Sequence, residues 1–301
     1  MRRHNVPRDY TLRELRRWCS VPVEKLLGHP DLKVPLRLVA DSAEMGEVMA
    51  RELIDVVRSA DAAGREAAAI VPCGPMAWYE PWTRIVNAER VSLKGLTVFH
   101  MDECLDWQGR LLPPGHPYNF RSTMEKVFYG GIDPALNVPA DRRHWLTPDN
   151  VDEVAGRIAE ADVDVTLGGW GQDGHIAYNQ ARRDIYSPLG VEELAASTAR
   201  VQYNNPDTVI ALAQRTFGAA YQFVPPMSVT LGLRECLKAR KVRLFSDTGA
   251  WKQTALRVAL FGPVTPEYPM TLLQNHPDAM LTATAATAGH PLAEHPEWEL
   301  F

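Results

Sequence analysis

The sequence has few features of secreted, metal-binding or membrane proteins. Only four of its 301 residues are cysteines, and they are widely spaced, with no Cys-x-x-Cys pair and no Cys and His at metal-ligand intervals. The N-terminus lacks the apolar segment of a secretory signal peptide, and no apolar run approaches the roughly 20 residues that a membrane span needs. These absences predict a cytoplasmic protein with reduced thiols and no metal.

The charge composition gives little reason to expect a nucleic-acid partner. The formal net charge is −5 at pH 7, and the basic cluster from Arg13 to Arg17 is balanced by acidic residues elsewhere. With 46% hydrophobic and 23% charged residues, the chain can bury a full core. We therefore expect one globular domain that binds a small molecule, with neither nucleic acid nor membrane as a partner.

Short apolar segments alternate with amphipathic ones along the chain. This order predicts an α/β fold, a mostly parallel sheet covered by helices on both faces in a Rossmann-like three-layer sandwich. Strands are expected at residues 36–40 and 67–71 and near Val98, Val165, Val229, Val242 and Met280. Helices are expected at about 43–59, with Ser42 as N-cap, and at about 76–88, 118–128, 151–161 and 251–260.

A glycine-rich run from residue 167 to 180 places an acid and an imidazole two residues apart, just after the strand predicted around Val165. Glycines such as Gly171 let the backbone approach a ligand closely, and the carboxylate of Asp173 can set the tautomer and proton affinity of His175. The run therefore predicts a proton-transfer site. A plain strand-to-helix turn with a structural histidine is the alternative.

A second acidic cluster follows another predicted strand. The apolar segment 96–100 leads into Asp102 and Glu103. Because ligands of open α/β sheets bind at the carboxyl ends of the parallel strands, we expect this cluster and the glycine-rich run to meet.

These two clusters resemble one family. Met101-Asp102-Glu103 and the run from Gly169 to Asn179 are similar to the Met-Asp-Glu and Gly-x-Gly-x-Asp-Gly-His-Ile-Ala-Phe-Asn-Glu motifs of the glucosamine-6-phosphate deaminases. The resemblance extends from about Val34 to Gly289. It implies a single sugar-phosphate isomerase-like domain at residues 34–301, preceded by an N-terminal extension at residues 1–33.

The resemblance also implies a reaction, in which an amino-sugar phosphate becomes a ketose phosphate and ammonia. His175 would assist ring opening, Asp102 would carry a proton from C2 to C1, and Asp173 would hold the imidazole. Lys252 matches the phosphate-binding lysine of the family, and the phosphate-binding arginine falls on Gln214 or Arg215, of which we choose Arg215. No cofactor is implied, and we expect a homo-oligomer.

The chain departs from the family pattern at two places. Where the deaminases have a Thr-Gly-Gly-Thr-Pro loop, this chain has a shorter loop that contains Cys73 and Gly74. We expect this loop to begin a helix whose N-terminus receives the phosphate. The glutamate that ends the histidine motif is Gln180 here, an amide that can orient His175 by a hydrogen bond but cannot stabilise its cationic form.

Three functions are compatible with the sequence. The first is an isomerase or deaminase of an amino sugar or its phosphate, with Glu103, Gly171, Cys73 and Gly74 in contact with the substrate. The second is a lactone hydrolase similar to the 6-phosphogluconolactonases, which share an Asp-Gly-His turn. The third is a protein that binds a sugar without converting it, which the altered loop and Gln180 favour.

Overall fold

The computed structural model describes residues 9–182 and 186–301. The strands are β1 (Leu36–Val39), β2 (Ala67–Val71), β3 (Leu96–His100), β4 (Asp102–Leu105), β5 (Arg143–His144), β6 (Val165–Gly168), β7 (Arg200–Tyr203), β8 (Met227–Thr230), β9 (Lys241–Ser246) and β10 (Ala279–Thr284). The helices are α1 (Leu12–Cys19), α2 (Ser42–Ala62), α3 (Tyr79–Ala88), α4 (Phe120–Met124), α5 (Val151–Glu160), α6 (Val191–Ala195), α7 (Pro206–Thr216), α8 (Leu233–Cys236), α9 (Gln253–Phe261), α10 (Ala285–Ala288) and α11 (Pro291–Glu294).

Seven strands form the main sheet in the order β1-β10-β9-β6-β2-β3-β5. All its neighbouring strands are parallel. The chain runs from β2 outward through β3 to β5, then returns to β6 on the other side of β2 and continues to β9 and β10. The order therefore reverses between β2 and β6, which is where an open α/β sheet forms its ligand crevice.

The side chains of β2 show how the two faces of this sheet are covered. Ala68 and Ile70 belong to one hydrophobic core with residues of α5 and α9. Ala67, Ala69 and Val71 belong to a second core with residues of α2 and α3. Because successive side chains of a strand point to opposite faces, the two cores lie on opposite sides of the sheet. The predicted three-layer α/β sandwich is confirmed.

A second sheet of three antiparallel strands, in the order β4-β8-β7, was not predicted. The segment expected to end in Asp102 and Glu103 is two strands, since β3 ends at His100 and β4 begins at Asp102. The strand expected near Val229 is β8 of this second sheet, so it does not lie in the parallel sheet. The strands expected near Val98, Val165, Val242 and Met280 are confirmed as β3, β6, β9 and β10.

Two helix starts differ from prediction. The N-cap of α2 is Asp41, whose side chain accepts the N–H of Glu44, and Ser42 is the first helical residue. The helix expected from residue 76 begins at Tyr79. Pro75 removes one N–H donor, and the residues that follow form a turn before the helix. The remaining predicted helices are present with shifted ends, including a π-helical turn, Glu125–Tyr129, after α4.

Residues 9–33 pack onto the rest of the chain. The side chains of Tyr10, Trp18 and Leu26 are buried in the same core as those of α9. Arg16 donates hydrogen bonds to the backbone carbonyls of Pro296 and Trp298. The boundary at residue 34 stays a prediction. In the described ranges no helix has the length and apolar character needed to cross a membrane, and all four cysteines are buried free thiols.

Candidate active site

A cavity of about 350 Å³ lies where the carboxyl ends of β2, β3, β6 and β9 meet. Residues at or directly after the end of each of these strands line it. Six of the predicted site residues line the cavity together, namely Cys73, Gly74, Asp102, His175, Arg215 and Lys252. The cluster that contains Asp102 and the glycine-rich run that contains His175 therefore lie at one edge of the sheet, as expected.

Asp102 and Glu103 have different surroundings because they are successive residues of a strand. β4 pairs with β8 so that Asp102 lies opposite Thr230 and Glu103 opposite Val229. The side chain of Asp102 lines the cavity. Burial of its carboxyl group, with a smaller contribution from the charge of Glu103, raises the pKa of Asp102 to about 8. A carboxyl group with this pKa can gain and lose a proton near neutral pH.

Glu103 was expected to contact substrate. Its carboxylate accepts hydrogen bonds from the backbone instead. Its Oε1 accepts the backbone N–H groups of Phe120 and Cys104, and its Oε2 accepts that of Arg121. These bonds satisfy the first N–H groups of α4, which otherwise have no partner within the helix. Burial raises the pKa of Glu103, and the backbone hydrogen bonds oppose this. Glu103 therefore positions α4 and its Phe120, which lines the cavity.

His175 is held by its neighbours in the glycine-rich turn. Its Nδ1 lies 2.6 Å from Oδ1 of Asp173, which is buried. The N–H of Gly171 donates to the carbonyl of His175. A Cβ atom on Gly171 would lie 2.1 Å from Cε1 of His175, so only glycine leaves room for the ring. Gly171, expected to contact substrate, instead lies behind the imidazole and positions it.

The second sheet fixes the other end of this turn. Thr230 accepts the N–H of Tyr178 through its hydroxyl oxygen. The amide of Asn179 donates to the carbonyls of Ile176 and Leu231. Ala177, which lines the cavity, has a φ of 55°, a left-handed conformation that non-glycine residues seldom adopt. These contacts fix the backbone on the C-terminal side of His175.

The amide of Gln180 does not orient His175 as was expected. It is buried, its Nε2 donates to Oγ1 of Thr208 at 2.5 Å, and its Oε1 accepts the N–H of Asn205 at 2.7 Å. Thr208 lies in the first turn of α7, the helix that carries Arg215. Gln180 therefore ties the histidine turn to α7, and both ends of its amide are already used there.

The cationic end of the cavity contains Lys252 and Arg215. Gln214 is not among the residues that line the cavity, and Arg215 as the phosphate-binding arginine stays a prediction. Burial, with a smaller contribution from the charge of Arg215, lowers the pKa of Lys252 to about 7, and the charge of Asp247 opposes this shift. The ammonium lies 5.9 Å from the ring centre of Trp170. Among the described residues it makes no hydrogen bond, so it is available to an anion.

The loop after β2, residues 72–77, lines the cavity. Because α3 begins only at Tyr79, the helix N-terminus is not at Gly74, and the expected phosphate site at that terminus is not formed there. The N–H groups of Gly74, Met76 and Ala77 nevertheless donate to no protein acceptor in the described part of the chain. Unpaired backbone N–H groups in a loop form a concave site for an anion.

Other residues of the cavity were missed from the sequence. Ser246, Asp247 and Thr248 line it after β9. They could have been found by applying the strand-end argument to β9 as well as to β3 and β6. The described chain has no group of three or more His, Cys, Asp or Glu side chains arranged to hold a metal ion.

Comparison with known sequences identifies similar proteins. No family model matches the chain. The chain is 31% identical over 221 residues to the glucosamine-6-phosphate deaminase of Rhodopirellula baltica, covering 71% of this chain and 79% of the relative. It is 29% identical over 255 residues to the glucosamine-6-phosphate deaminase of Bifidobacterium longum, covering 81% of this chain and 87% of the relative.

Comparison with solved structures agrees on the fold. A monomeric glucosamine-6-phosphate deaminase superimposes with a TM-score of 0.71 at 20% identity, covering 84% of this chain and 98% of that one. The 6-phosphogluconolactonase of Trypanosoma cruzi superimposes with a TM-score of 0.59 at 17% identity, covering 87% and 98%. At these identities the superpositions establish the common fold.

Proposed function

The chain belongs to the glucosamine-6-phosphate deaminase family and is an enzyme of this kind, and from this premise we propose that it converts glucosamine 6-phosphate into a ketose phosphate and ammonia. The observation that carries the proposal is the shared cavity. Asp102, His175 and the cations Arg215 and Lys252 all line one cavity of about 350 Å³, and Asp173 binds the imidazole of His175.

The phosphate binds at the cationic end in this proposal. Lys252 and Arg215 supply two positive charges, and the N–H groups of Gly74, Met76 and Ala77 supply uncharged donors. These donors take the place of the hydroxyl groups that the Cys73 loop lacks. Charged hydrogen bonds to phosphate are stronger than neutral ones, so the two cations provide most of the affinity at this end.

Proton transfer takes place at the other end. Nδ1 of His175 is bound to Asp173, which leaves Nε2 to exchange a proton with the ring oxygen of the sugar during ring opening. Asp102 as a carboxylate then removes the proton from C2 and returns it to C1. Because the pKa of Asp102 is about 8, its carboxylate is a stronger base than an ordinary aspartate.

Product analysis tests the proposal. We expect the enzyme to release ammonia from glucosamine 6-phosphate, and the Asp102→Asn variant to bind the sugar phosphate without releasing it. In the same buffer, 6-phosphogluconolactone should open no faster than without enzyme. Lactone opening without ammonia would show a lactone hydrolase, and saturable binding with neither product would show a sugar-binding protein.

A further inference from the structure

A second cavity, of about 360 Å³, adjoins the first one. Four residues line both cavities, namely Cys73, Met101, Asp102 and Phe120. His175, Arg215 and Lys252 line only the first cavity. The second cavity therefore lies on the side of Asp102 that is away from the cations, and it is connected to the site at the proton-transfer carboxylate.

The walls of the second cavity are largely apolar. They include Leu111, Leu112, Met124 and Leu146. Leu112, Met124 and Leu146 are buried, whereas Leu111 is 47% exposed and marks the opening to solvent. An apolar space beside a polar site binds alkyl groups through the removal of their surface from water.

Apart from Asp102, the carboxylate and guanidinium groups around this cavity are already paired, and the hydroxyl groups of Ser122 and Thr147 also line it. Glu103 accepts three backbone N–H groups. The Arg121 guanidinium pairs with Glu125 at 3.0 Å. The two faces of the Trp145 ring are covered by the His100 ring, 3.6 Å away between centroids, and by the Arg121 guanidinium at 5.1 Å. The cavity therefore offers no free cation for a second phosphate.

The position of Asp102 determines which part of the substrate lies next to the second cavity. A sugar whose phosphate lies at Lys252 and whose C2 lies at Asp102 has its C2 substituents next to the second cavity, because Asp102 lines both cavities. We propose that the second cavity is a subsite for an alkyl substituent on this nitrogen, so that the enzyme accepts N-alkyl derivatives of the amino-sugar phosphate. This inference rests on the proposed function and deepens it.

The reaction of such a substrate needs only water. After ring opening, the proton moves from C2 to C1, the N–H proton passes to the C1 oxygen, and the C2–N bond becomes an imine that bears the alkyl group. Water adds to C2, the C2–N bond breaks, and the electron pair and a proton leave with the nitrogen. The products are the same ketose phosphate and a primary amine in place of ammonia, with no net oxidation or reduction.

Measurement of the ammonia and the propylamine released from two substrates tests the subsite. The wild-type enzyme is given glucosamine 6-phosphate or its N-propyl derivative, and ammonia, propylamine and ketose phosphate are measured. We expect kcat/KM for the N-propyl compound to equal or exceed that for the parent compound. Leu111→Trp and Ser122→Leu each place additional side-chain volume in the second cavity, and each should lower kcat/KM for the N-propyl compound at least roughly tenfold.

The controls separate this inference from the proposed function. The same two variants should keep kcat/KM for glucosamine 6-phosphate within about threefold, and Leu27→Trp, at an exposed leucine outside both cavities, should change neither substrate. Ammonia release from the parent compound with no propylamine from the derivative would overturn the subsite alone. Equal effects of Leu111→Trp and Ser122→Leu on both substrates would also overturn it. Absence of ketose phosphate from both compounds would overturn the proposed function.

Discussion

The two ends of the cavity are built in different ways. At the proton-transfer end, Asp173 binds the imidazole of His175 and Gly171 leaves room for its ring. At the phosphate end, Lys252 makes no hydrogen bond among the described residues, and the backbone N–H groups of the loop that contains Gly74 point to no protein acceptor there. One end is fixed by the protein itself, and the other provides donors that a ligand must satisfy.

This difference coincides with the resemblance to the deaminases. The fixed end keeps the Asp102 motif of the family and its histidine motif as far as Asn179, with Gln180 in place of the glutamate, whereas the end with open donors has the altered loop at Cys73. Proton transfer needs atoms held to within a fraction of an ångström, while an anion is attracted by charges over several ångströms. Sequence change is therefore tolerated more easily at the phosphate end. Substitutions at the two ends should affect kcat and KM differently.

The largest effect is expected from Asp102→Asn. The amide cannot accept the C2 proton, so kcat should fall by about 10²- to 10⁴-fold with binding of the sugar phosphate nearly unchanged. In the wild type, kcat/KM should decline as the pH falls below about 8, because protonated Asp102 is inactive as a base. Asp141→Asn, at an exposed position, is the control and should keep full activity. Retention of activity within a few-fold in Asp102→Asn would remove Asp102 from the mechanism.

A smaller but still large effect is expected from Gly171→Ala. The added methyl group would overlap the His175 ring, so the ring must move, and we expect kcat to fall by roughly 10²-fold because a displacement of about 1 Å has this cost. KM should change little. Gly156→Ala is the matched control, since its Cβ atom meets no neighbour, and it should keep activity and stabilise α5 by about 1 kcal/mol. Thermal unfolding of both variants separates displacement of the ring from loss of the fold. Normal kcat in folded Gly171→Ala would contradict the positioning role.

Lys252→Met should weaken the binding of the sugar phosphate. Loss of one charged hydrogen bond to phosphate, about 1.5–3 kcal/mol, should raise KM by roughly 10- to 100-fold with a smaller effect on kcat. Because the pKa of Lys252 is about 7 in the empty cavity, the wild-type affinity for inorganic phosphate should weaken as the pH rises above 7, and the variant should lack this dependence. Lys126→Met, at an exposed lysine, is the control. An unchanged KM would place the phosphate elsewhere.

The smallest effect on activity is expected from Gln180→Glu. The side chain binds Thr208 and Asn205 rather than His175, so kcat and its pH profile should stay within about threefold of the wild type. The buried carboxylate loses the amide donor, which should lower the free energy of unfolding by about 1–3 kcal/mol, measured by denaturant unfolding. Gln172→Glu changes the other glutamine bound to Thr208, which is less buried. It should lower the free energy of unfolding by a smaller amount. A large gain in deaminase activity in Gln180→Glu would show that position 180 reaches the imidazole.

The sequence predicted those parts of the site that depend on local order along the chain. Apolar runs located β2, β3 and β6, and the strand-end rule then placed Asp102 and His175 at one edge of the sheet. The Asp173–His175 contact was predictable because two residues of separation in a tight turn bring their side chains together.

Features that depend on distant residues could not be predicted in this way. The antiparallel pairing of β4 with β8 joins residues more than one hundred positions apart. The partners of Gln180 lie on α7, and the sequence gives no sign that Thr208 and Asn205 use its amide. The open N–H groups of the Cys73 loop depend on where α3 begins, and this start differed from prediction by three residues.

The packing of residues 9–33 has a consequence for shortened forms of the protein. Burial of a large apolar side chain contributes about 1.5–3 kcal/mol, and Tyr10, Trp18 and Leu26 are all buried against the main core. Their combined contribution is comparable with the roughly 5–15 kcal/mol that separates a folded domain from its unfolded state. A segment outside the part that resembles the family thus covers an apolar surface that the family-like part cannot expose to water. Removal of residues 1–33 would bare this surface and favour aggregation, even though residues 9–33 contribute no lining residue to the cavity.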